Sequence, residues 1–140
     1  MSSPALSGSS AASKPFHIHL YGPPADRLTS GNPTTAPLPS SFEAAWQRLQ
    51  TLLPQALLEP DGSLAWSGEH HQIVGMLYDA ADRIQYVELR GFCYRQQVQK
   101  LLRVIAGIEQ VDRFSVMVLP ERQWKNFQSF ANSLLIEPAI

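Results

Sequence analysis

Two short stretches hold the residues best suited to chemistry. Phe16-His-Ile-His-Leu-Tyr21 places His17 and His19 two residues apart, and Val87-Glu-Leu-Arg-Gly91 does the same for Glu88 and Arg90. Side chains of an extended strand return to the same face every second residue, so each pair shares a face. Neutral imidazoles are ordinary zinc ligands. Glu69, His70 and His71 stand together between two predicted strands and, with His17 and His19, complete the set of metal-ligand candidates. No fixed-spacing signature joins them, and adjacent histidines diverge, so surface or strand-edge histidines are the plain reading. Glu88 and Arg90 have a plain reading too, as a solvated or cross-strand pair at a strand end. The single cysteine, Cys93, has no base adjacent in sequence and reads as a small buried hydrophobe.

The elements that must position these groups follow from periodicity. Phe16, Ile18 and Leu20 alternate with His17, His19 and Tyr21, which predicts a short strand that joins an edge of the main sheet. Gly22-Pro-Pro24 ends it, and Pro33, Pro37 and Pro39 mark a long loop. Ser40 with Glu43 three residues on forms a capping-box pattern. Phe42, Ala45, Trp46, Leu49, Leu52 and Leu53 give the stripe of a helix over 41–53, stopped by Pro54. Asp61-Gly62 predicts a turn leading into a strand over 64–67, paired with Leu57 and Leu58. Strands over 72–78 and 84–90 form a hairpin with a loop of four or five residues.

A second helix follows Gly91, its stripe Val98, Leu101, Leu102, Ile105 and Ile108. Residues 113–119 are apolar on both faces, which predicts a central strand covered by helices on both sides. Pro120 then opens a last helix, with Trp124, Phe127, Phe130, Ala131, Leu134 and Leu135 on its buried side. The predicted order is β-α-β-β-β-α-β-α in one small α+β or α/β domain over 15–136, with a Pro-rich loop at 22–40 and residues 1–14 as a disordered tail rich in Ser, Ala, Gly and Pro.

The run of helix, three antiparallel strands, helix and strand over about residues 41 to 119 is similar to the core of the PD-(D/E)xK nuclease-like fold. That resemblance implies a carboxylate on one core strand and Glu-x-Lys on the next, holding Mg²⁺ for phosphodiester cleavage. Val87-Glu88-Leu89-Arg90-Gly91 stands at the equivalent strand end, so Glu88 and Arg90 take the catalytic positions, with Glu43 of the first helix as a further metal contact. The sequence departs from the pattern in two places. Val74, Gly75 and Met76 offer no carboxylate on the preceding strand, and Arg90 replaces a lysine with a group that does not shed its proton.

Composition sets the wider frame. Eleven Lys and Arg against twelve Asp and Glu give a formal charge of -1, which supplies no global attraction for nucleic acid. A local basic patch remains compatible with phosphate binding. No apolar run approaches the roughly 18 residues that span a bilayer, and the N-terminus has no signal-like basic region, so a cytoplasmic protein without membrane contact is expected. Tyr78, Tyr86, Arg83 and Tyr94 form the expected binding surface, aromatic rings interleaved with cations. No assembled nucleophile, phosphate loop or metal cage is visible. The sequence therefore favours a non-enzymatic binding or protein-interaction domain, self-associating as a homodimer or bound to a protein partner, without a cofactor. A divergent Mg-dependent nuclease or phosphodiesterase and a small-molecule binder are the alternatives.

Overall fold

A computed structural model describes residues 14–25 and 35–138. The tail expected over 1–14 and the middle of the Pro-rich loop fall mostly outside the described residues. The elements are β1 (Phe16–Tyr21), α1 (Phe42–Leu52), β2 (Leu57–Leu58), β3 (Ser63–Ser67), β4 (Gln72–Ala80), β5 (Arg83–Phe92), α2 (Arg95–Ala106), β6 (Ser115–Val118), β7 (Gln123–Asn126) and α3 (Phe127–Asn132). They form a small α+β domain. All seven strands belong to one sheet of order β2-β3-β4-β5-β1-β6-β7, and every neighbouring pair is antiparallel.

The first strand is not at an edge. It lies between β5 and β6, pairing His19 with Glu88 on one side and with Met117 on the other. Its inward residues Ile18 and Leu20 are fully buried, which is the physical reason for the central place: an edge strand would leave one flank of that apolar pair in water. Ile18, Leu20, Val87, Leu89 and Val116 point to one face of the sheet. There they meet Ala45 and Leu49 of α1, Val98, Leu101 and Ile105 of α2, and Phe127 and Phe130 of α3 in a single core. Phe16 meets Phe130 edge to face, with ring centroids 5.4 Å apart.

Among the described residues all three helices cover the same face, which corrects the expectation of helices on both sides of residues 113–119. Val116 faces the core while Met117 faces the open side. The last helix is also shorter than expected. Pro120 does not start it; it sits in the turn to β7, so Trp124 stands on an edge strand, 49% exposed, instead of on a buried helical stripe. Trp46, read as a core residue of α1, is half-exposed.

Two local features set which residues face the open side. The β4–β5 hairpin closes through Ala81 and Asp82, both at positive φ (54° and 62°), a two-residue turn of the kind favoured in hairpins. The Ala-Asp pair lacks the usual glycine, which is why the sequence predicts a longer loop. Next to it, Tyr78 pairs with Tyr86 and Asp79 with Ile84, leaving Gln85 as a bulge. One extra residue shifts the alternation, so Ile84 and Val87 are both buried although three apart. Tyr86, Glu88 and Arg90 are thereby aligned on the open face.

At the other end of the core, the N-cap of α1 is Ser41, not Ser40: its hydroxyl accepts from the Ala44 N–H at 3.1 Å. Ser40 is freed for a different partner, the Arg48 guanidinium. Arg48 also donates to the carbonyls of Val104 (2.7 Å) and Ile105 (2.8 Å), satisfying the exposed C-terminal end of α2.

Candidate metal centre on the open face of the sheet

The open face is built in rows that run across the strands. His17 stands opposite Arg90, which stands opposite Val74. In the next row Met76, Glu88, His19, Met117 and Trp124 follow one another across β4, β5, β1, β6 and β7. Tyr78 and Tyr86 form the row beyond. Among the described residues no helix covers these side chains.

Glu88 is the meeting point. His17 Nε2 donates to its Oε2 at 2.7 Å, and His19 Nε2 lies 3.9 Å from the same oxygen. The three ligand atoms all fall within 4.8 Å of one another. A tetrahedral ion with bonds of about 2.0–2.2 Å holds its donors about 3.3 Å apart, so the closest pair must open slightly and the widest must close by up to about 1.5 Å to share one ion, a change within reach of side-chain rotation. The site is half-buried: the side chains of His17, His19 and Glu88 retain 37%, 25% and 23% of their exposure. Tyr78 donates its hydroxyl to the other carboxylate oxygen, Oε1, at 3.3 Å, which turns Oε2 toward both imidazoles. A partner of this kind on the outer oxygen orients a ligating carboxylate.

Protonation states suit the same role. Burial pushes His19 below its ordinary value of 6.5, with Glu88 opposing and His17 assisting. The imidazole is therefore neutral at pH 7, as a metal ligand must be. The hydrogen bond from His17 holds the Glu88 carboxyl below its ordinary 4.5 despite partial burial. Burial, followed by the charge of Glu88, keeps the Tyr78 hydroxyl protonated by raising it.

These shifts fix the sign of an acid response. His19 binds its proton less readily when folded, so the unfolded chain takes up more protons below 6.5 and stability falls as pH drops through that value. His71, also lowered chiefly by burial, acts in the same direction. The Glu88 contribution is present above 4.5 and is lost as pH falls through its depressed value. Thermal melts of the metal-free protein are thus expected to be flat above about pH 7 and to shift downward on acidification in two stages. His19→Gln is expected to shrink the upper stage while His71 retains part of it. A melting temperature that rises between pH 7 and pH 5.5 contradicts this assignment.

The other sequence candidates lie apart. Glu43 is exposed in the first turn of α1, on the helix-covered side of the sheet, and does not meet Glu88. Glu69 and His70 are exposed in the β3–β4 turn, 3.8 Å from each other. His71 packs on Trp66 at 4.3 Å between ring centroids and takes a hydrogen bond from the Gln97 amide on its Nδ1; both partners belong to the helix side. Tyr94 is the N-cap of α2, with its backbone N–H donating to Gln97 Oε1. Arg83 begins β5 at the hairpin turn. Cys93 is buried, and burial pushes its thiol up to about 12, so it carries no thiolate at neutral pH.

Comparison with protein-family models, with curated proteins and with solved structures finds no match to this chain. The geometry nonetheless corrects the reading of a non-enzymatic interaction domain. That reading, and the expectation that the chain is not an enzyme, rested on the lack of an assembled ligand set. His17, His19 and Glu88 are such a set, capable of holding a metal ion. It was missed because its two halves lie 71 residues apart in sequence, and only the pairing of β1 with β5 brings them together. The alternation of His17 and His19 was the available signal; the partner strand was not. No helix among the described residues is long and apolar enough to cross a membrane.

Proposed function

We propose that the protein is a metal-dependent hydrolase of phosphodiesters whose ion is held by His17, His19 and Glu88. The observation that carries this reading is the convergence of two imidazoles and one carboxylate within 4.8 Å on an open sheet face. Two histidines and a glutamate, leaving a coordination position for water, form a ligand set of hydrolytic zinc sites. A bound ion of this kind lowers the pKa of its water to near 7 and polarises the scissile group.

The donor set differs from the PD-(D/E)xK pattern in one informative way. The preceding strand β4 offers no second carboxylate and Arg90 holds the lysine place; the remaining donors are imidazoles from β1, on the other flank of β5, and nitrogen donors suit Zn²⁺ better than Mg²⁺. Arg90 is exposed in the row next to the site, opposite His17. Its fixed charge would anchor a phosphate oxygen, a task for which the planar guanidinium is suited. It needs no proton transfer to do so.

The test is calorimetric titration with Zn²⁺, Mn²⁺ and Mg²⁺, followed by hydrolysis of bis(p-nitrophenyl) phosphate with the ion that binds. One ion per chain, Zn²⁺ or Mn²⁺ bound far more tightly than Mg²⁺, and metal-dependent release of nitrophenol are expected. Binding without any hydrolysis across pH 6 to 9 would remove the catalytic half of the reading; no binding would remove all of it.

A further inference from the structure

Beside the triad, the open face carries a continuous ladder of aromatic rings. Trp124 lies against Tyr21 at 5.4 Å between centroids, Tyr21 stacks on Tyr86 at 5.2 Å, and Tyr86 stacks on Tyr78 at 4.5 Å. The last two contacts are nearly parallel, with interplanar angles of 25° and 20°. The ladder crosses β7, β1, β5 and β4. Trp124 reaches Tyr21 diagonally over Ser115, whose small side chain leaves the space between them. The ladder also touches the metal-ligand set: His19 packs on Tyr86 at 5.1 Å, and Tyr78 bonds to Glu88.

We propose that this ladder is a stacking platform for unpaired bases, so that the substrate of the proposed hydrolase is a single-stranded nucleic acid. The inference rests on that reading of the triad for catalysis but stands on separate residues for binding. Parallel rings on neighbouring strands must stand upright and face along the row. The interior faces are then filled by each other, while the end rings present an outer face. Among the described residues each end ring has an aromatic neighbour on one side only, and Tyr78 and Trp124 are 38% and 49% exposed. The open π face of each end ring can stack any base, whatever its identity. It requires the base to be unpaired, which sets a single strand apart from a duplex.

A single cation beside the ladder favours a phosphate-bearing ligand over a neutral aromatic one. Arg90 lies two residues along β5 from Glu88, about 6.8 Å by strand geometry, on the side away from the tyrosines. Arg90 thus offers a phosphate of a base-stacked strand one fixed positive charge on the same face as the ladder. The net charge of -1 offers no broad attraction, so binding comes chiefly from stacking. Its dependence on salt is expected to be shallow, with a log–log slope of about -0.7 from the single phosphate contact at Arg90.

Fluorescence polarisation in EDTA measures this without the ion, using a labelled ten-nucleotide thymidine strand, its abasic counterpart and the paired duplex. The thymidine strand is expected to bind at least about tenfold more tightly than either control. Trp124→Ala and Tyr78→Ala are each expected to weaken it about tenfold, and Tyr78→Phe, which keeps the ring, to restore it. Arg90→Ala should flatten the salt slope. His17→Ala, which removes a metal ligand that does not touch the tyrosines or Trp124, should retain strand binding while losing Zn²⁺, so failure of the metal site and failure of the platform are separate results. Equal binding of thymidine and abasic strands, tighter binding of the duplex, or no binding at all would overturn the proposal. Circular dichroism of each variant separates loss of binding from loss of fold.

Discussion

Replacing Glu88 by alanine is expected to lower Zn²⁺ affinity at least about 100-fold, beyond the 10- to 100-fold typical for loss of an outer-sphere partner. The carboxylate is the only group of the triad close to both others: 2.7 Å from His17 and 3.9 Å from His19. Its removal takes away the sole negative ligand and the anchor that turns His17 inward. Glu88→Gln separates these effects. The amide keeps an acceptor for the His17 N–H but not the charge, so the fold should remain while metal affinity still falls steeply. The reverse result, with Glu88→Gln unfolded or binding zinc like the parent, would show that Glu88 serves the sheet and not an ion. Calorimetric titration beside a urea melt distinguishes the outcomes.

The second large effect is structural and originates one strand away. Gly75 pairs with Leu89, and a Cβ built there would strike the carbonyl oxygen of Glu88 and press on the Leu89 side chain. Backbone cannot step aside as a flexible side chain can. Gly75→Ala must therefore push β4 away from β5 along the most extensively paired hairpin of the sheet. A cost of about 3 kcal/mol is expected, at the upper end of overpacking. Because the displaced atom belongs to Glu88, metal affinity should fall with stability, by tenfold or more. Val74→Ala, the adjacent change on the open face, should stay within about 1 kcal/mol. Urea midpoints at constant slope measure both; a Gly75→Ala protein as stable as its parent would show that close approach of β4 and β5 is not what requires the glycine.

The positions of α1 and α2 were legible because each carries a stripe whose burial the fold then uses: Ala45 and Leu49 in α1, Val98, Leu101 and Ile105 in α2. The β4–β5 pairing was legible from two apolar runs close in sequence. What the sequence concealed was non-local or locally atypical. Ala81-Asp82 is a left-handed turn without a glycine, and the Gln85 bulge breaks the period of two just where the face of Tyr86 and Glu88 is set. Residues 123–126 read as the start of a helix because Trp124 and Phe127 are three apart, yet Trp124 belongs to a strand and Phe127 opens the helix after it. For the site, each half was recognisable as a pair of residues on one strand face. Their convergence depended on β1 choosing a central slot, which no local signal specifies. The resemblance to the nuclease-like order directed attention to Glu88 and toward a carboxylate partner, whereas the sheet supplies imidazoles.

The place of β1 has a consequence for the order of events during synthesis. Of the described strands β1 is synthesised first, yet it is among the last able to find its neighbours, since one is centred some 71 residues downstream and the other pairs Ile18 with Val118. Until β5 and β6 emerge, His17 and His19 travel on an unpaired apolar segment, exposed to wrong pairings in the way that long-range β contacts are. The β3–β4–β5 meander can form earlier from local contacts. The pairing of β1 joins β5 to β6 and brings the triad together. The proposed metal site is thus complete only in a chain that has paired β1 with β5.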